Sequence, residues 1–148
     1  MTQTIALSKI LHVREREKND AQKAYYQSTA YFEEMATQLY NLLRRKEEAE
    51  ETYEDHLQTI ISLDKIREQL TFIEKLNSQI LKRQREVQLA RSDMESKQLK
   101  LTDAHVEVKK FEKIIEVRKK SEDDKLQKIE KASMDEISIQ QYLSHKNR

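Results

Sequence analysis

The sequence predicts an all-α protein: two long helices forming an antiparallel coiled-coil hairpin, with the C-terminal end of the second helix projecting past the first. Three observations predict it. The 148 residues contain no Gly, no Pro and no Cys, where an average chain of this length carries roughly 10 Gly and 7 Pro. Charged residues make up 37% and apolar ones 36%, the usage of long helices. The apolar residues recur at heptad spacing, and the register of that repeat shifts once, near residue 61.

Without Gly and Pro the chain lacks the usual punctuation of turns, hairpins and strand ends. The first helix is expected over about residues 5–59. Its seam has 3,4 spacing: Leu11, Arg14, Lys18, Ala21, Tyr25, Ser28, Phe32, Met35, Leu39, Leu42, Lys46, Ala49, Tyr53 and His56. Nine of these fourteen positions are apolar, and Leu7 lies one heptad before Arg14, so one face can bury against a partner helix.

The second helix is expected over about 64–143. Ile66, Ile73, Ile80, Val87, Met94, Leu101, Val108 and Ile115 are all aliphatic at strict seven-residue spacing, an arrangement that chance would give roughly 3 times in 10,000. The companion positions are mixed, namely Leu76, Arg83, Ala90, Lys97, Ala104, Phe111 and Arg118. The seam is therefore thin, and the coiled coil should be marginal and bendable.

Between Tyr53 and Ile73 the seam moves by one residue, which neither a stammer nor a stutter absorbs. A chain reversal between Thr59 and Asp64 explains the shift, with a turn at about 60–63 and Ser62 or Asp64 capping the new helix. A fold near residue 61 pairs residues whose numbers sum to about 122, which sets Leu7 opposite Ile115 and Leu11 opposite Phe111. The aliphatic heptad then stops where the first helix runs out. Helices of ~80 Å and ~120 Å would leave an overhang of about 40 Å. In the overhang, Leu126, Ile129, Ala132, Ile137, Ile139, Tyr142 and Leu143 continue without a partner. Ser133 and Glu136 have capping-box spacing, which predicts a separate helical restart there. The whole of 1–148 reads as one coiled-coil domain.

Charge and chemistry narrow the function. The 28 Lys and Arg nearly cancel the 27 Asp and Glu, so no overall field draws the chain to nucleic acid or anionic lipid. Basic runs such as Arg44 to Lys46 adjoin acidic ones such as Glu47 to Glu51, the pattern of a solvated face laced with ion pairs. No apolar stretch reaches the ~18 residues of a membrane span, and no signal-peptide pattern opens the sequence. A cytoplasmic location is expected.

His12, His56, His105 and His145 have no second ligand at i+4 and no thiol to join them, so no metal site is expected. The many carboxylates have no pocket to desolvate them for acid catalysis, and no Gly-rich loop exists to cradle a phosphate. The expectation is a protein without cofactor or enzymatic activity, serving any ATP-driven process as partner to the ATPase. Of the aromatics, Tyr25 and Phe32 sit on the seam. Tyr26, Tyr31, Tyr40 and Phe72 fall off it or at its edge and are candidates for contact with other proteins.

Four stretches carry a resemblance to a known family. They are Leu7, Ile10, Leu11, Val13, Arg14, Glu15, Glu17 and Lys18 near the start; Phe72, Ile73, Leu76 and Ile80 after the turn; the run Glu107 to Lys113; and the run Met134 to Gln140. In this order and at these separations the sequence resembles the FliJ family, coiled-coil proteins of the flagellar type III export apparatus, in the form found in Bacillus and its relatives.

The resemblance implies a central-stalk-like coiled coil linking the export ATPase ring to the membrane export gate. It also implies service as a chaperone or escort for export substrates, contact with export chaperones, and a peripheral place at the inner face of the cell membrane through those partners. For the gate it implies a contact patch at Phe72 and Leu76, with Leu42 a neighbour across the hairpin. Leu76 is also a seam position and Phe72 flanks Ile73, so packing alone can account for both. A hairpin should be a monomer when free. A generic structural coiled-coil adaptor and a holdase-type chaperone are the alternative readings.

Overall fold

The computed structural model describes residues 2–59 and 62–146. Two α-helices account for nearly all of them: α1, Thr2–Gln58, and α2, Leu63–Lys146. No strand occurs among the described residues. Residues 60 and 61 of the expected turn lie outside the described residues. At its near side the Thr59 hydroxyl donates to the carbonyls of Asp55 (3.3 Å) and His56 (3.4 Å), which serves carbonyls that a helix end leaves without an amide. At its far side the Ser62 carbonyl accepts from the amides of Lys65 (3.1 Å) and Ile66 (3.4 Å). Ser62 thus occupies the cap position, and Asp64 falls inside the first turn, where the helix dipole favours a carboxylate.

The packing falls into two compact units. One holds Asn19–Thr102, with the helices antiparallel. Its cross-helix contacts include Phe32 with Arg91, Met35 with Arg83 and His56 with Gln69. Buried at its centre are Ser28, Met35, Leu76, Ile80 and Ala90. Ser28 is tolerated there because its hydroxyl donates to the Tyr25 carbonyl at 2.7 Å, and a buried polar group that is hydrogen-bonded avoids most of its desolvation cost.

The other unit comprises the described residues of Met1–Lys18 and Asp103–Arg148. The Arg14 guanidinium lies 5.8 Å from the Phe111 ring centroid, the Arg118 guanidinium donates to Gln3 Oε1 at 2.5 Å, and the Thr4 hydroxyl donates to Glu122 Oε1 at 3.2 Å. Val108 and Ile115 are its buried apolar residues. Residue numbers across the helices sum to 118–125 in the first unit and 121–126 in the second, close to the expected 122.

Every one of the fourteen α1 seam positions from Leu11 to His56 is buried or half-buried, as are the eight aliphatic α2 positions from Ile66 to Ile115. Arg118, the last companion position, is exposed, and so is every described residue from Asp123 onward. The core is thin as expected: six apolar residues are buried among the described ones, Met35, Leu76, Ile80, Ala90, Val108 and Ile115. Seam cations such as Arg14, Lys46, Arg83 and Lys97 are half-buried, as their long aliphatic stems allow.

One expectation is corrected. α2 runs unbroken through Ser133 to Lys146, with no restart at the capping-box spacing. A cap forms only where the preceding amides are already free of helical partners. With no Gly or Pro upstream, each amide keeps its carbonyl four residues back and the side chain of Ser133 has no helix end to serve.

Candidate docking surface

The residues that the sequence singles out for contact lie in the Asn19–Thr102 unit, and the structure separates them by role. Leu76 is 2% exposed and Phe72 46% exposed. Leu42 lies between them in burial. On α2 the spacing of Phe72, Leu76, Gln79 and Arg83 follows i, i+4, i+7, i+11, a single stripe along one helix face. On α1, Gln38, Leu42 and Arg45 follow i, i+4, i+7 in the same way. Leu76 is buried in the seam, while Phe72 is exposed and Leu42 half-buried.

Further along, past Leu76, the two helices form an open depression of about 400 Å³ that Phe72 and Leu76 do not line. Gln38, Asn41, Leu42 and Arg45 form its α1 wall, and Gln79, Lys82 and Arg83 its α2 wall. Arg83 is fixed in place: its Nη1 donates to Glu86 Oε2 at 2.6 Å and lies 3.7 Å from Met35 Sδ. The Gln38 amide donates to Glu34 Oε1 at 3.5 Å. Leu42 supplies apolar surface, and three side-chain amides and three cations surround it.

A second depression of about 260 Å³ in the same unit is lined by Tyr31, Glu86, Leu89, Ala90 and Asp93. Tyr31 is 51% exposed and Leu89 71%. Its two carboxylates are already matched, Glu86 by Arg83 and Asp93 by Lys97 at 3.9 Å. Tyr26 and Tyr40 are also more than half exposed, whereas Tyr25 and Phe32 are half-buried on the seam, with the Arg91 guanidinium 5.6 Å from the Phe32 ring centroid. The sequence division of the aromatics into seam and surface therefore matches the observed burial.

The sequence reading missed the groove cations. Arg45 and Lys82 stand in runs of mixed charge, and only the cross-helix register brings them to one depression. No group of three or more metal-ligating side chains occurs among the described residues, and no described helix is long and apolar enough to cross a membrane.

Comparison with known proteins places the chain. The family described as "Flagellar FliJ protein" matches residues 3–147. The Flagellar FliJ protein of Bacillus subtilis (strain 168) is 34% identical over 143 residues, covering 97% of each chain. No solved structure matches the present chain.

Proposed function

The chain belongs to the flagellar FliJ protein family, components of the flagellar export apparatus, and from that premise we propose that it is a non-enzymatic stalk between two larger parts of that machine. In this reading the unit holding both chain ends engages the export ATPase ring. The Asn19–Thr102 unit meets the membrane export gate through Phe72 and Leu42, with Leu76 holding the surface from beneath. Escort of export substrates and their chaperones is a further part of the role, and attachment to the inner face of the membrane is through these partners.

The observation that carries the reading is the C-terminal end of α2. From Asp123 to Lys146 it is helical and exposed throughout, and it displays Leu126, Ile129, Ile137, Ile139, Tyr142 and Leu143, each at least half exposed. Such a helix face gains stability by burial against a partner. The depression at Glu122, Lys125, Leu126 and Ile129 marks its beginning.

The test is ATP hydrolysis by the cognate flagellar export ATPase, titrated with the full chain. Stimulation saturating near stoichiometric amounts, together with promoted ring assembly, supports the stalk. Neither stimulation nor binding would sink it. Light scattering of the free protein should give the mass of a single 17.7 kDa chain, and a dimer mass would contradict the hairpin reading.

A further inference from the structure

We propose that the outward face of α2 between Val106 and Lys131 binds directly to an anionic phospholipid surface, in addition to any attachment through protein partners. Six lysines, Lys109, Lys110, Lys113, Lys120, Lys128 and Lys131, fall on one stripe of the helix with Val106, Val117, Asp124 and Gln127, because the steps along it are three or four residues. All ten residues are exposed. The stripe lies opposite the side that buries Val108 and Ile115 and runs for ~38 Å. Asp124, Gln127, Lys128 and Lys131 line one open depression of about 290 Å³, so their side chains share a surface.

The inference rests on how charge is sorted around the helix, not on which cations have partners. From residue 106 to 131 the chain holds nine Lys and Arg and seven Asp and Glu, close to neutral. Six of those cations and one of the acids, Asp124, stand on the stripe, which leaves three cations and six acids for the other sides. The stripe therefore carries a formal +5 and the remainder −3. With 28 Lys and Arg in 148 residues, ten positions would hold about two by composition alone. Glu112 and Glu116 border the stripe and reach Lys109 at 3.7 Å and Lys113 at 4.0 Å, but exposed pairs of this kind are weak and exchange readily for another anion.

The residue types favour lipid over protein or nucleic acid. Lysine is depleted where proteins meet proteins, and the Arg and aromatic anchors of such contacts are absent from all ten positions. The same absence leaves no ring on which bases could stack and no guanidinium fork to grip a phosphodiester. What remains is a row of point charges on a convex surface, suited to a planar layer recognised by charge density, for which clusters of about 4–8 basic residues are typical. Val106 and Val117, each 56% exposed, add apolar contact within the row. Leu126 and Ile129 lie two positions from Lys128 and Lys131, roughly 200° around the helix, so a protein bound to the projecting end and a membrane would use different sides.

The test is co-sedimentation of the full chain with vesicles of phosphatidylglycerol and phosphatidylcholine at 3:7, against vesicles of phosphatidylcholine alone, in 50 mM salt. Binding to the first and not to the second is expected. Each lysine near an anionic surface contributes about fivefold in affinity, so K110Q/K120Q/K128Q should bind about a hundredfold more weakly. K23Q/K65Q/K100Q changes the net charge equally, on exposed lysines of the Asn19–Thr102 unit, and should bind within about twofold of wild type. Helicity by circular dichroism should be unchanged in both, and K110R/K120R/K128R should bind as wild type. Raising salt to 300 mM should release the protein, because exposed charges are screened.

No binding to the phosphatidylglycerol vesicles, equal binding to both kinds, or equal losses in the two glutamine variants overturns the proposal. So does tighter binding to a 20-base-pair DNA duplex with the same dependence on the lysines. Stimulation of the export ATPase is measured alongside, without vesicles. Vesicle binding without stimulation removes the stalk reading and leaves the lipid face standing; stimulation without vesicle binding does the reverse.

Discussion

Replacing Leu76 by Ala should unfold the Asn19–Thr102 unit more easily, whereas replacing Phe72 by Ala should not, although the two residues stand four apart on one helix. Leu76 is 2% exposed, and the substitution removes three carbons from a packed seam. At ~0.8 kcal/mol for each buried methylene that is about 2.4 kcal/mol. A residual cavity raises the cost of Leu→Ala changes into the range of ~2–5 kcal/mol, but a seam of two helices with water on both sides collapses readily, so the low end applies. For a chain of this size ~1 kcal/mol moves the melting midpoint by about 3 °C, which gives a fall of about 7 °C. Phe72 is already 46% exposed, and its loss should cost about 1 kcal/mol or less. The assay is thermal and urea melting followed by circular dichroism at 222 nm for each single variant, since the double variant would confound them. Gate binding is then compared well below both midpoints, where F72A should bind weakly while remaining folded. An L76A midpoint within 2 °C of wild type would refute the packing argument. An F72A midpoint falling as far as that of L76A would show Phe72 to be core and remove it from the docking surface.

Three further perturbations follow from the same packing. Deleting residues 123–148 should leave the melting midpoint within about 2 °C of wild type while lowering the helical signal by roughly a sixth, because every described residue there is exposed and makes no contribution to the seam; a large fall would mean the end of α2 supports the hairpin. Ala90 is 3% exposed, so Ala90→Leu should force the helices apart and cost about 1–3 kcal/mol in urea melts, an unchanged midpoint counting against its place between them. Arg91→Ala should cost about 0.5–1 kcal/mol by removing the guanidinium from the Phe32 ring, and Arg91→Lys should recover part of it; identical midpoints for all three would show the contact to be idle.

Much of this architecture is legible in the residues because a heptad repeat is a statement about one helix face. Side chains every 3.5 residues return to the same side whatever they meet there, so Leu11 to His56 and Ile66 to Ile115 could be assigned to a seam before a partner was known. The shift of that repeat between Tyr53 and Ile73 located the reversal, and the sum rule followed from it. The restart at Ser133 failed for the complementary reason. Capping signatures describe what a residue can do at a helix end, and only competition with the continuing backbone hydrogen bonds determines whether an end exists.

Leu76 illustrates the limit most sharply. Its position allowed both a seam role and a surface role, and the antiparallel packing buried it while leaving Phe72 exposed. Arg45 and Lys82 stand 37 residues apart in chain numbering, each in a stretch of mixed charge. Local pattern carries no information on whether cations so separated will share a groove, or which will find a carboxylate. The sequence by itself determined the helices, the reversal and the buried face, since these depend on periodicity along one helix. Only the tertiary structure decided which seam residues are shielded and which cations share a groove, because both depend on the distance between side chains of two different helices.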